Sequence, residues 1–190
     1  VISDLHLDVL TNQKSMEVFG NRWNSYIERL EKNWRHLITD ADTVVIPGDI
    51  SWALSLEEAT SDLKFIDSLP GTKYLGKGNH DFWWATASKM YKFFEANGLD
   101  SIRILYNNSF ECEGKIICGS RGWFSEEANQ KTVGDVSWTK IVDRETMRLK
   151  MSLESSAKDT EKERIVFLHF PPVWSNSVCS DIIALLREYN

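Results

Sequence analysis

The run Thr43-Val44-Val45-Ile46-Pro47-Gly48-Asp49-Ile50-Ser51-Trp52 decides the class of fold. Thr43 to Ile46 favour extended backbone and show no polar alternation, so the segment reads as a strand covered on both faces. Pro47-Gly48 stops it, and Asp49 is the first charged side chain beyond it. Working outward, helical patterns fall on either side. Upstream, Trp23, Ile27, Leu30, Trp34 and Leu37 recur at three- and four-residue steps and predict an amphipathic helix over 22–38. Downstream, Ser55 and Glu58 form a capping box that opens a helix. Its inward face is Leu56, Ala59, Leu63 and Ile66, and Pro70-Gly71 ends it. A strand over 73–76 and a helix over 86–97, closed by Gly98, repeat the pattern. Strands alternating with helices in this way predict an α/β sheet with crossover connections.

In the second half the pattern shortens. Arg103 to Tyr106, Phe110 to Cys112 and Lys115 to Cys118 read as short strands, divided by the hairpin signals Asn107-Asn108 and Glu113-Gly114. Residues 125–137 are polar and aperiodic, as in a surface loop, and Glu126-Glu127 within them receive no role. A long helix is expected from Trp138 to about Lys158, with Ile141, Val142, Leu149 and Leu153 inward. A strand over 165–168 and a last helix over 180–189 follow. No repeat or linker divides the 190 residues, so one domain is expected. Val1-Ile2-Ser3 reads as the tail of a strand already under way. Asn190 follows an apolar helical stretch with no closing strand, so both ends are expected to be incomplete.

Composition narrows the function. With 42% hydrophobic and 26% charged residues the chain is of ordinary globular type. A formal charge of −6 argues against long nucleic acid as partner, while a local basic pocket for a small anion stays open. No apolar run approaches the ~18–20 residues that span a bilayer. The cysteines, Cys112, Cys118 and Cys179, are odd in number and form no Cys-x-x-Cys pair, which fits core filler in a reducing, cytoplasmic setting.

The chemistry-bearing side chains share one address, the position just after a strand. Asp4 and His6 follow the first segment, Asp49 the second, Asn79, His80 and Asp81 the third, and His169 the strand over 165–168. Open α/β sheets bind ligands outside the carboxyl ends of their strands. Asp4 and His6, two apart, face one side of an extended segment. Mixed oxygen and nitrogen donors suit Mn, Fe, Co, Ni or Zn. A carboxylate placed as Asp49 is can bridge two ions, and Asn79 adds a neutral oxygen. Asp-x-His or Gly-Asp alone is a weak signal. Gly78-Asn79-His80-Asp81 arises by chance in roughly one chain in two thousand.

Asp4-x-His6, Gly48-Asp49, Gly78-Asn79-His80-Asp81 and His169, in this order, resemble the calcineurin-like metallophosphoesterase superfamily. The runs Gly48-Asp49-Ile50-Ser51-Trp52-Ala53 and His80-Asp81-Phe82-Trp83-Trp84 resemble a bacterial branch of predicted phosphohydrolases. The resemblance implies a four-layer α/β/β/α sandwich with two divalent metal ions. It implies Asp4, His6 and Asp49 around the first ion, and Asp49, Asn79 and His169 around the second, with Asp49 bridging. A metal-bridging hydroxide would attack the phosphorus. His80 would face the substrate phosphate and stabilise charge or protonate the leaving oxygen. Asp81 would hold the tautomer of that ring, or cap the following helix. The family closes its site with a Gly-His-x-His segment. The remaining histidine, His36, lies within a helical pattern, so that segment is expected beyond Asn190.

Trp52, Trp83 and Trp84 border the metal motifs and are candidates to stack on a substrate ring, with core packing the alternative. Arg121, after Cys118-Gly119, is a candidate to grip phosphate or carboxylate, with surface pairing the alternative. The expected function is hydrolysis of a small phosphomonoester or phosphodiester. The competing readings are a nuclease or nucleotide pyrophosphatase, and a non-catalytic scaffold that binds protein.

Overall fold

A computed structural model of the chain describes residues 1–11, 14–123, 138–156, 161–175 and 177–189. Contacts gather these into two compact units, Val1–Ile104 and Leu105–Asn190. The expected surface loop over 125–137 lies outside the described residues.

In the first unit, β1 (Thr43–Ile46), β2 (Thr72–Leu75) and β3 (Ile102–Ile104) form a parallel sheet in the order β1-β2-β3. Val45 pairs with Tyr74, and Tyr74 with Arg103. Ile46, Leu75, Leu63 and Ile66 are wholly buried. Each such side chain contributes about 1.5–3 kcal/mol by leaving water. The N-terminal residues run beside β1: the Ile2 N–H donates to Val45 O (3.1 Å) and the Asp4 N–H to Gly48 O (3.1 Å). They are not the regular strand that Val1-Ile2-Ser3 suggests. Asp4 at φ 58° and His6 at φ 45° interrupt the extended backbone, and Leu7 and Ser51 form only an isolated parallel bridge.

Three helices accompany this sheet. α1 (Tyr26–Leu37) starts later than its periodicity suggests, because Asn21–Trp23 form a separate 3-10 turn and Ser25 sits at φ 47°. Tyr26 and Trp34 are buried, and the Trp34 indole donates to Pro70 O (3.0 Å). Leu37, expected inward, is 71% exposed because the helix ends on it and Ile38 turns extended. α2 (Thr60–Ser68) also starts late. The Glu58 N–H donates to Ser55 Oγ and the Glu58 carboxylate accepts from the Leu54 N–H, so the capping box closes a preceding turn. Leu56, Ala59, Leu63 and Ile66 all face inward as their spacing requires. α3 (Ala87–Asn97) is capped by Thr86, whose Oγ1 accepts from the Lys89 N–H, and ends on Gly98 at φ 64°.

The second unit is built on a mixed sheet in the order β4-β5-β6. β4 (Ser109–Cys112) and β5 (Lys115–Ser120) make the hairpin signalled by Glu113-Gly114, both at positive φ (49° and 76°) as a tight two-residue turn demands. β6 (Arg164–Leu168) lies parallel to β5, with Gly119 opposite Phe167 and Ser120 opposite Leu168. Asn107-Asn108 is not a hairpin. β3 belongs to the first sheet and β4 to the second, so the pair is a crossing between sheets, with Asn107 at φ 63°. α4 (Trp138–Glu154) packs on β5 and on α5 (Ser180–Glu188). It ends before the expected limit near Lys158, which is not among the described residues. Val142, Leu149 and Leu153 of α4 join Ile116, Cys118, Cys179, Ile182 and Leu185 in one apolar core. A small antiparallel pair, β7 (Val173–Trp174) and β8 (Ser177–Val178), carries no signal in the sequence. The chain is α/β in class. No helix of the described residues is long and apolar enough to cross a membrane.

Candidate metal centre

The ends of β1 and β2 are locked against each other by absent side chains. A Cβ on Gly78 would overlap the amide nitrogen and Oδ1 of Asp49, and a Cβ on Gly48 would overlap the Gly78 backbone. Only glycine at both points lets the two loops touch. Asp81 then ties the loops together. Its Oδ2 accepts from the N–H groups of Asp49 (2.9 Å) and Gly78 (2.7 Å). Its Oδ1 accepts from the N–H groups of Ile50 (2.8 Å) and Ser51 (3.4 Å) and from the Trp83 indole (3.0 Å). Burial pushes the Asp81 carboxyl up from its ordinary value, against the pull of the Gly78 and Ile50 donors toward the ionised form. This carboxylate is engaged by N–H donors, not by the His80 ring, and Thr86 rather than Asp81 caps α3. Its part in the site is therefore to position the two loops.

On this frame Asp4, His6 and Asp49 converge. One ligand atom from each lies within 4.8 Å of the others, with His6 and Asp49 buried and Asp4 exposed. His6 Nε2 stands 3.9 Å from Asp4 Oδ1 and 3.5 Å from Asp49 Oδ2. Atoms that share an ion at about 2.0–2.2 Å stand about 3–3.5 Å apart, so the set needs only a small contraction to hold one. The cluster does not arise from two residues facing one side of a strand. Asp4, His6 and Asp49 all sit in the left-handed region, Asp49 at φ 52°, a costly conformation for residues with side chains and one that gathers at functional sites. Burial holds the His6 imidazole below its ordinary value despite the opposing pull of Asp49 and Asp4, which favours the neutral, ligating ring.

The neighbours complete the picture. Asp49 Oδ1 accepts from the His80 N–H (2.8 Å), which fixes the loop carrying Asn79 and His80, both half-buried. The Trp52 ring stacks on His6 at 4.3 Å and 23°, and His80 meets both rings edge-on at 5.5 and 5.1 Å. Trp83 is only 2% exposed and its indole serves Asp81, which leaves that ring to packing rather than to a substrate. Trp84 is half-buried and tilted against Trp83 at 5.4 Å. Tyr26, absent from the sequence candidates, donates its hydroxyl to His6 O (2.8 Å), and burial pushes its own pKa up to about 12. A cavity of about 510 Å³ adjoins Asp4 and is lined by Arg22, Trp23 and Arg29 among others.

Two candidates lie in the second unit. His169 follows β6, half-buried and edge-on to Phe170 at 4.8 Å. Arg121 follows β5, and its Nη2 donates to Oε1 of the wholly buried Glu145 (2.7 Å) while its guanidinium lies over Trp123 at 4.6 Å. Arg148 donates to the same oxygen (2.6 Å). A buried carboxylate between two guanidiniums has no periodic sequence signature, and Glu145 escapes a reading of the sequence.

The family model for calcineurin-like phosphoesterases matches residues 1–189. The chain belongs to the calcineurin-like phosphoesterase family. The family is one of metal-dependent phosphoester hydrolases, and some of its members are non-catalytic. The oxygen and nitrogen donors of Asp4, His6 and Asp49 fit the divalent ions on which calcineurin-like phosphoesterases depend. No curated protein matches the chain. Among solved structures, a protein of unknown function from Aquifex aeolicus is 18% identical over 100% of this chain and 91% of that one, with a TM-score of 0.45.

Proposed function

We propose that the protein hydrolyses a small phosphomonoester or phosphodiester at a dinuclear centre of divalent ions, manganese among the candidates. The observation that carries this is the convergence of Asp4, His6 and Asp49 beside the end of β1 in a chain of this family. In this reading Asp4, His6 and Asp49 would hold one ion, and Asp49 and Asn79 would offer oxygen donors to the other. Bound ions supply Lewis-acid polarisation of the phosphoryl group and an activated water. The protein's own residues do the rest. Asp49 and Asp4 return part of the metal charge and leave the site positive toward an anionic ester. His80, held through its backbone by Asp49, presents its imidazole to the phosphate and gives a proton to the leaving oxygen. Asp81 keeps both loops in register. The ring of Trp84 contacts the remainder of the substrate. A cytoplasmic setting suits three cysteines without a Cys-x-x-Cys pair.

The test is to count bound metal and assay aryl phosphomonoesters and phosphodiesters with Mn²⁺. Asp49→Asn should lose both metal and turnover. His80→Ala should keep its metal and lose about 10²–10⁴ in kcat, the usual worth of a general acid. Wild-type protein that binds metal but turns over neither ester class above background would end the catalytic reading.

A further inference from the structure

A histidine that ligates a metal ordinarily donates its second ring N–H to a carboxylate, carbonyl or water, and that bond fixes the plane of the ring. His6 departs from this arrangement. Its Nε2 faces the Asp4 and Asp49 oxygens, while its Nδ1 is buried with no hydrogen-bond partner among the described residues. An imidazole has a broad torsional well about its Cβ–Cγ bond. No protein group among the described residues supplies that bond, so packing is what the protein offers to hold the ring plane.

Trp52 is the group in place to do so. Its indole lies flat on the imidazole, centroids 4.3 Å apart and planes 23° from parallel. Turning the His6 ring broadside would drive its edge into the indole. Trp52 is itself fixed on both sides of its α-carbon. Its N–H donates to Leu7 O (3.0 Å), and its carbonyl accepts from Lys14 Nζ (3.2 Å). The Leu7–Ser51 bridge pins the two chain segments one residue away from each ring. The Tyr26 hydroxyl holds the His6 carbonyl from the other side. Backbone and ring plane of His6 are thus both set, the plane by stacking.

We infer that Trp52 is a positioning residue for the metal site: its ring, stacked on the imidazole, orients His6 Nε2 toward Asp4 and Asp49. This rests on the reading of those three residues as metal ligands and is independent of whether the protein turns over an ester. It also assigns to a metal ligand the ring face that would otherwise be offered to a substrate.

The experiment is a calorimetric titration of the metal-stripped, substrate-free protein with Mn²⁺ alone, for wild type, Trp52→Phe, Trp52→Leu and Trp52→Ala. Co²⁺ absorption spectra of each report coordination geometry. Loss of a group that orients a ligand costs about 10–100-fold in metal affinity. Trp52→Ala and Trp52→Leu should fall in that range with an altered Co²⁺ spectrum, whereas Trp52→Phe, which keeps a flat ring, should stay near wild type. Trp52→Leu keeps apolar bulk and serves if the alanine variant fails to fold. A merely structural tryptophan would lower the melting temperature of the metal-free protein and leave affinity and spectrum unchanged, and that result would overturn the inference. Equal affinity in wild type and in whichever of the alanine and leucine variants folds would also overturn it. A wild type that binds no divalent ion would remove the metal reading and this inference together. A wild type that binds metal but hydrolyses nothing would remove only the catalytic reading.

Discussion

Asp81→Asn is the sharpest single perturbation of this fold. The substitution is isosteric, so it opens no cavity, and it changes only what the two terminal atoms accept. In the native carboxylate, Oδ2 serves Asp49 and Gly78, and Oδ1 serves Ile50, Ser51 and the Trp83 indole. An amide has one oxygen and one NH2. If the NH2 takes the Oδ2 position, the amides of Asp49 and Gly78 face a donor; if it takes the Oδ1 position, three donors do. At least two buried N–H groups are therefore stranded in either orientation. Each costs about 1–3 kcal/mol, which gives about 2–6 kcal/mol and a working value of ~4. Against a typical total of about 5–15 kcal/mol, that is a large fraction of the stability. Urea unfolding of the metal-free protein reads it directly, as a fall in midpoint at unchanged slope. Because Asp49 is one of the residues released, metal affinity should fall in the same variant. A loss below about 1 kcal/mol would show that Asp81 does not tie the β1 and β2 loops, and the account of the site's rigidity would fail.

Two further outcomes test the rest of the molecule. Lys73 is wholly buried, its ammonium donates to the carbonyls of Asp67 and Leu69, and burial lowers its pKa below 10.5. Between that lowered value and 10.5 the unfolded chain binds the extra proton, so stability should rise as pH climbs through the window. In Lys73→Met the rise should vanish, with stability at pH 7 altered by only about 1 kcal/mol, since two lost hydrogen bonds are offset by relief of a buried charge. Denaturation at pH 7 and pH 10 decides it, and a flat wild-type profile would count against the account. Glu145→Gln leaves Arg121 and Arg148 facing a neutral amide and should cost about 3 kcal/mol. Thermal unfolding measures it, and a change below about 1 kcal/mol would mean that the cluster contributes little.

Where sequence and structure agree, a strong local signal meets a matching tertiary need. Val44, Val45 and Ile46 are apolar without alternation because the strand is buried, and Thr86 and Gly98 bracket α3 because each satisfies helix-end groups. Glu113-Gly114 makes its hairpin because both residues accept positive φ. Asn107-Asn108 looks alike locally, but strand partners are chosen by the sheets and not by the turn, so it becomes a crossing between them. The address after a strand was legible for Asp49, which follows β1, whereas Asp4 and His6 reach it from a segment that forms no regular strand. The way they converge was not. The left-handed backbone of all three, the stack of Trp52 on His6 and the hold of Asp81 on five N–H groups depend on contacts between segments distant in sequence. A composition or a periodicity carries none of those.

The contact between Gly48 and Gly78 has a consequence for how the chain can change over time. Because the Gly78 backbone fills the space a side chain on Gly48 would need, and Asp49 fills the space a side chain on Gly78 would need, neither position can drift alone. A first substitution at either would push Asp49 and the Asn79-His80 segment apart before a second could relieve it. The two loops should therefore be inherited as a pair and transplanted as a pair. A site grafted onto another sheet from the Gly-Asn-His-Asp segment alone would lack the surface that gives it its shape.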